Sequence, residues 1–287
     1  FEEWGFWKLL GASTLFPKSY EFIGVDITAL TKPAIYLSYP SLWLVLPYTV
    51  FKLLNLLPLE VSLSPQYLQV YNLIFNRLLC AVVVYYLYLE IIKIISQDIT
   101  DYKKRLIALL GLVGWLFTPP VLYWTQNVYF TDEAVLLPVY AIFLISLKCR
   151  FNFNQISTFY KIVLCVTSIL ACGFDWYGWI GIAIVLFLKF IDDLLAKENP
   201  FFSKAFLKQY LNSVKFILIG VIVSGFTFLV QLLYYKDGIR QILATFFSRA
   251  SATSDNGVSL TLLTMLRGIA MHWSSYFPRM LQPLLVK

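Results

Sequence analysis

Six runs of about 17 to 25 predominantly apolar residues, the length that spans a bilayer as a helix, fall near positions 72 to 95, 105 to 123, 132 to 148, 157 to 173, 176 to 193 and 214 to 235. No other feature of the chain restricts its fold as strongly. A segment in hydrocarbon has no water to satisfy its backbone, so each run must close its hydrogen bonds on itself as a helix or join a closed barrel. Runs of this length, without period-2 alternation, read as helices. Composition agrees: 59% of the 287 residues are hydrophobic, 18% aromatic and 14% charged, and the mean hydropathy is +0.72, far outside the soluble average. The expectation is an all-α, polytopic integral membrane protein.

The loops between the runs alternate in charge. Lys103, Lys104 and Arg105, then Lys148 and Arg150, then Lys189, Lys197, Lys204, Lys208 and Lys215 occupy every second connection, whereas loops 119 to 131 and 174 to 176 contain no Lys or Arg. By the positive-inside rule the basic loops are cytoplasmic. Asp132, Glu133, Asp175 and the start of the first run near Arg77 then face the exoplasmic side. Residues 39 to 54 are apolar for about 15 residues but are broken by Pro47 and followed by a Pro-containing connector. If they crossed the membrane, every later loop would violate the charge rule, so they read as an interfacial helix under the exoplasmic leaflet. Residues 1 to 12, with aromatics and Leu beside acidic side chains, read as a second one. Three regions result: an exoplasmic loop over 1 to 71, a bundle of about six helices over 72 to 235, and an exoplasmic loop returning to the membrane over 236 to 287. The opening at Phe1, with no Met and no signal-peptide pattern, reads as a piece of something longer.

Several function classes lack support. The net charge of +7 comes from residues between apolar runs, not from a basic stripe interleaved with exposed aromatics, so nucleic acid is not an expected partner. Cys80, Cys149, Cys165 and Cys172 lie in or beside apolar runs with no CxxC spacing and read as buried free thiols. GxGxxG, Walker A, HExxH and nucleophile-elbow patterns are absent from the sequence, which removes the motif support for nucleotide use and common hydrolases.

Chemistry is then sought on the exoplasmic rim, because carboxylates at membrane-helix ends are costly to desolvate and line wet cavities or interfaces. Asp132 and Glu133 open one run and Asp175 another. Each has a plain structural reading too: Asp132 as an N-cap with Glu133 in the first turn against the helix dipole, Asp175 as an N-cap in an aromatic belt, Arg77 as a snorkelling cation. Glu2 and Glu3 fit the solvated face of an amphipathic helix as well as a catalytic pair. His272, the single histidine, fits an interface residue.

The order of these elements resembles the GT-C superfamily of polyprenyl-phosphate-sugar glycosyltransferases, in particular the protein O-mannosyltransferase and aminoarabinose transferase branch. Glu2-Glu3 stands where that family has an acidic pair on a juxtamembrane helix, and Tyr39-Pro40-Ser41-Leu42 where a Pro-Pro-Leu-type motif opens a second one. Arg77-Leu78 matches an Arg-Leu pair at the next span, and Thr131-Asp132 a Thr-Asp motif opening a later one. The chain departs from the pattern in having Glu2 for Asp, Ser41 for the second Pro and Asp175 where relatives often carry Lys. The resemblance implies a GT-C-like helical bundle with exoplasmic juxtamembrane helices, in a plasma membrane of the bacterial inner-membrane kind with the site facing outside. Its activity would be transfer of a sugar from a polyprenyl-phosphate donor to a glycan, lipid or protein acceptor. Glu2 or Glu3 would be the base, and Asp132 and Glu133 would position the acceptor. Arg77, Arg240 or Arg249 would face the phosphate, whose oxygens suit a planar guanidinium, and Tyr39, Asp175 and His272 would complete the substrate contacts. No cofactor is certain; a divalent metal is the one candidate, with its ligands unassigned. The partners implied are the lipid-linked sugar, the bilayer and a membrane complex. The competing expectation is a non-catalytic membrane subunit or scaffold that keeps the fold without the chemistry.

Overall fold

The computed structural model describes residues 13 to 14, 35 to 36, 40, 42 to 56, 70 to 96, 98 to 118, 131 to 196, 203 to 234, 239 and 242. Apart from one two-residue antiparallel pair, β1 (Ser13–Thr14) with β2 (Ile35–Tyr36), the regular structure among these residues is helical. Helix α1 is Leu42–Leu54. A π-helical stretch, Asn72–Leu79, runs directly into α2, Cys80–Ile95. There follow α3 (Asp101–Leu116), the single turn α4 (Thr131–Ala134), α5 (Leu136–Lys148), α6 (Thr158–Phe174), α7 (Trp176–Leu195) and α8 (Lys204–Tyr234). The chain divides into two compact units, one of Phe1–Thr14 with Ala34–Gly238 and one of Leu15–Pro33 with Ile239–Lys287. All of these elements belong to the first; in the second, Ile239 and Ile242 are the described residues.

Each of the six apolar runs holds one long helix, but the boundaries shift for physical reasons. The second starts at Asp101, with Thr100 extended before it, because Asp101 suits the positive end of the helix dipole and Lys and Arg are good helix formers. The third breaks into α4 and α5. Pro138 would press its ring on the carbonyl four residues back, at Ala134, so the ladder cannot run through. The last starts at Lys204, where the Ser203 hydroxyl accepts from the Phe206 N–H at 3.1 Å. Its 31 residues give a rod of about 46 Å, longer than a hydrocarbon core. Lys189, expected in a basic loop, lies inside α7, 6% exposed. It is retained there by Asp193 at 2.6 Å and Asp192 at 3.8 Å, one turn on along the same face.

Helix α6 is the centre of the packing. Leu164, Ala171 and Cys172 from α6 meet Ile142 and Ile145 of α5, Ile182 and Val185 of α7, and Val214 and Ile217 of α8 in one buried cluster. The α6 and α8 backbones approach closely over small side chains. A Cβ at Gly220 would lie 2.5 Å from the Ser168 Cβ and 2.7 Å from the Cys165 carbonyl oxygen, and Ser224 Oγ donates to the Ile169 carbonyl at 2.6 Å. Small residues at such spacing let two helix backbones meet closely. The four cysteines are free thiols, Cys80 and Cys172 buried and Cys149 and Cys165 half-buried.

Two ends of the bundle follow from chain direction. Phe51 of α1 packs with Tyr71, Ala134, Val135 and Phe174, residues where α2 and α5 are approached and where α6 finishes. The buried face of α1 thus lies on that end, and Leu42 would meet a Cβ at Gly173. At the opposite end stand the C-termini of α2, α5 and α7 and the N-termini of α3, α6 and α8. Two described helices are long and apolar enough to cross a membrane by length and composition, Asn72–Ile95 and Lys204–Tyr234. Both carry exposed apolar side chains along their length, among them Leu78, Val82 and Tyr86 on the first and Ile222, Phe226 and Leu233 on the second. Helix α3 is similarly bare, with Leu106, Leu110 and Val113 exposed.

Candidate functional site

The π-helical stretch carries Asn72, Asn76 and Arg77, the polar residues at the start of the helix Asn72–Ile95. Asn72 and Asn76 are both buried although they sit in an apolar run, so their amides need partners inside the protein. They find them in series. Asn76 Nδ2 donates to Asn72 Oδ1 at 2.7 Å, and Asn72 Nδ2 donates to Glu133 Oε2 at 2.8 Å. Short π segments are rare and often mark functional positions; here the stretch also carries Arg77, which is half-buried.

Glu133 stands on the turn α4, outside the apolar helix that follows it, and is 3% exposed. One carboxyl oxygen is taken by Asn72, and the other, Oε1, is buried without a hydrogen-bond partner among the described residues. Burial pushes this carboxyl up to about 7, against the opposing pull of the Asn72 hydrogen bond and the Arg77 charge. The physical cause is loss of hydration of the charged form, offset in part by one donor and one cation. Arg77 and Glu133 therefore share one electrostatic neighbourhood, and Glu133 changes charge near neutral pH. A carboxyl with that property can exchange a proton or balance a nearby cation.

Asp175 lies where α6 ends and α7 begins, in the extended conformation, with Oδ1 accepting from the Tyr177 N–H at 3.0 Å. It is the N-cap of α7 and is 1% exposed. Its Oδ2 is buried with no hydrogen-bond partner among the described residues. The turn around it is tight. A Cβ on Gly178 would run into the Ala171 carbonyl, and Trp179 Nε1 donates to the Cys172 carbonyl at 3.0 Å. Beside the cap, Trp176 meets Phe228 edge-on at 5.5 Å. Phe174, next to Asp175, packs with Ala134 and Val135, so the Asp175 turn and the Glu133 turn belong to the same end of the bundle.

Of the residues singled out from sequence, Arg77 bears on Glu133 through its charge alone, and Asp175 joins the Glu133 end as a helix cap. Asp132 is on the α4 turn, and its side chain lies outside the described residues, as do Glu2, Glu3, Tyr39, Arg240, Arg249 and His272. No group of three or more His, Cys, Asp or Glu side chains assembles among the described residues, so the donor set for a divalent metal is not found there. Asn72 and Asn76 were not among the residues singled out. Their signal was present: two amides at i and i+4 in an apolar run share one helix face, and an unpaired amide in such a run calls for a partner. The chain matches no family model, no curated protein and no solved structure.

Proposed function

We propose that the chain is a multi-pass membrane glycosyltransferase of the GT-C kind, taking a sugar from a polyprenyl-phosphate donor and passing it to an acceptor at the exoplasmic face. The observation that carries this reading is the buried Glu133–Asn72–Asn76 chain beside Arg77, at one end of an apolar helix bundle whose opposite end holds Lys93, Lys103, Lys104, Lys148 and Lys204. Membrane helices seldom retain buried amides and a carboxyl without a use for them. Bare apolar faces on the first and last long helices and on α3 support lipid contact, and the charge alternation of the loops supports the exoplasmic side.

In this reading the donor phosphate is met by Arg77, whose fork binds two oxygens at once, and neutralising it favours departure of the phosphate as charge grows on it. The acceptor hydroxyl is activated by a carboxylate, Glu2 or Glu3. The test is sugar transfer and donor binding by the full chain in lipid, with a polyprenyl-phosphate sugar. Glu3→Gln or Glu2→Gln is expected to abolish transfer and leave donor binding close to wild type, because the base acts on the acceptor in the transition state. Arg77→Ala is expected to weaken donor binding by about 1.5 to 3 kcal/mol, the size of a charge-assisted hydrogen bond. Transfer and binding unchanged in all three variants would remove the reading.

One observation favours a second reading, a non-catalytic membrane subunit with this fold. Asp175 is engaged as a helix cap and Glu133 by an amide, which are structural uses of two rim carboxylates. Wild-type chain that binds no lipid-linked sugar, yet is needed for the stability of a membrane complex, would establish that alternative.

A further inference from the structure

We propose that the outward face of α8 seats an anionic phospholipid of the cytoplasmic leaflet, with the headgroup on Lys204, Lys208 and Lys215 and an acyl chain along Ile219, Ile222 and Phe226. The inference rests on the membrane reading given above, and not on the transfer chemistry assigned to the other end of the bundle.

Helix α8 carries charge of one sign on one side. Over its 31 residues the charged side chains are Lys204, Lys208 and Lys215, with no Asp or Glu among them. All three lysines are exposed. At 3.6 residues per turn, these lysines and Ile219, Ile222 and Phe226 fall within about 60° of one another around the helix axis. The three apolar side chains are exposed as well. Phe206, Ile217, Ser224 and Phe228, which are buried, project from the opposite side. One face of α8 thus holds the bundle, and the other is a strip that is cationic up to Lys215 and apolar beyond it.

These lysines lack the partners that other cations of the same end have. Lys93 meets Glu90, Lys104 meets Asp101 and Lys189 meets Asp193, each on its own helix. Among the described residues, no carboxylate pairs with Lys204, Lys208 or Lys215. Lys215 Nζ donates to Asn212 Oδ1 at 3.2 Å and stands 5.4 Å from the centre of the Phe216 ring, contacts that leave its charge uncancelled. The dimensions fit a leaflet too. Residues 216 to 234 rise about 28 Å, close to the thickness of a hydrocarbon core, which sets Lys215 at the boundary with the headgroups. Lys208 and Lys204 follow about 10 and 16 Å further out, on stems long enough to reach back toward that boundary. An anionic phospholipid matches both halves of the strip, its phosphate supplying the missing negative charge and its chain covering the apolar part. A zwitterionic lipid matches the apolar half alone. A second copy packed on this face about a two-fold axis along the membrane normal would set lysine against lysine.

The experiment uses the full chain in vesicles, with Cys80, Cys149, Cys165 and Cys172 replaced and a bimane label on Ile222→Cys. The probes are dioleoyl phosphatidylglycerol and dioleoyl phosphatidylcholine in equimolar mixtures, one or the other brominated along its acyl chains, so that quenching of the label reports which lipid lies against the strip. Phosphatidylglycerol is expected to be favoured about 3- to 10-fold. Lys208→Gln with Lys215→Gln should abolish the preference, and Lys208→Arg with Lys215→Arg should keep it. Removing the same charge elsewhere at the basic end, by Lys103→Gln with Arg105→Gln, should leave it unchanged. Equal quenching by the two lipids with the lysines in place would overturn the proposal while leaving lipid contact intact, as would a preference that survives the Lys208 and Lys215 glutamine pair. A preference lost equally in the Lys103 and Arg105 variant would also overturn it, by showing a general field in place of a seat on α8. Absence of quenching by either lipid would show that something other than lipid, a second copy included, covers the strip, and would overturn the proposal together with the membrane contact on which it rests.

Discussion

The two ends of the helix bundle handle charge in opposite ways. At the basic end the ion pairs are local in sequence: Lys93 with Glu90 at 2.7 Å, Lys104 with Asp101 at 4.0 Å, and Lys189 with Asp193 at 2.6 Å. All are three or four residues apart on one helix, and Lys148 similarly reaches Tyr160 across one short turn, at 2.9 Å. At the other end the polar contact joins Asn72 to Glu133, residues 61 apart in sequence; Glu133 Oε1 and Asp175 Oδ2 there, like Asp193 Oδ2 at the basic end, are buried without hydrogen-bond partners among the described residues. Local pairs at helix ends anchor and orient helices and are worth little individually. A distant, buried and incompletely bonded pair is costly to keep, and such cost concentrates at sites that do something. On the proposed reading, the local pairs orient the helices and the distant contact marks the end where chemistry is sought.

The largest effect is expected where the polar end has least room. Gly178→Ala sets a methyl group into the Ala171 carbonyl, a backbone atom that cannot rotate away, so the α6–α7 turn must open. A loss of about 3 kcal/mol or more is expected in thermal or denaturant unfolding, at the upper side of overpacking costs. Gly114→Ala, where no atom lies within 4 Å of the added Cβ, should be neutral or slightly stabilising. A harmless Gly178→Ala would show that the Asp175 turn is not held as described.

Next comes the buried Lys189–Asp193 pair at the basic end, which tests how far the contrast extends. Lys189→Ala strands the largely buried Asp193 carboxylate and is expected to cost about 3 kcal/mol, as for removal of one partner of a buried pair. The double variant Lys189→Met with Asp193→Leu should recover most of that, because no charge is left in the apolar surroundings. Failure of the double variant to recover would mean that the pair does more than neutralise itself.

A smaller, pH-dependent effect separates the ends directly. The folded protein favours neutral Glu133, whose carboxyl is raised from 4.5 to about 7. Its contribution to stability is therefore complete below about pH 4.5 and lost as pH rises through about 7, a change of about 1 to 3 kcal/mol. Glu133→Gln should flatten that part of the stability profile. The same scan on Lys93→Ala, an exposed surface pair, should move stability by less than about 0.5 kcal/mol at any pH.

The sequence shows the helices far better than the site. Apolar runs mark six of the described helices because burial in lipid or in a neighbouring helix demands the same side chains over a full helix length. Their ends are less visible, since Asp101, Lys103 and Lys104 continue a helix that hydropathy alone cuts short, and Pro138 splits one that it leaves whole. Asp175 is legible as a cap from its place before Trp176 between two apolar runs. The tie between Asn72 and Glu133 is not legible, because pairing across 61 residues depends on how α2 and α5 pack, and neither the π-helical stretch nor the orphaned oxygen has a local sequence signal.

The most direct test of the account is the sidedness of its two ends. In intact cells, on a background in which Cys80, Cys149, Cys165 and Cys172 are replaced, a membrane-impermeant maleimide can be applied to two single-cysteine variants. Tyr177→Cys is at the carboxyl-bearing end and Phe159→Cys at the basic end, and the native side chains are 61% and 68% exposed. Tyr177→Cys is expected to be labelled from outside and Phe159→Cys only after the cells are opened. Labelling of both from the same side, or of Phe159→Cys alone from outside, would contradict it.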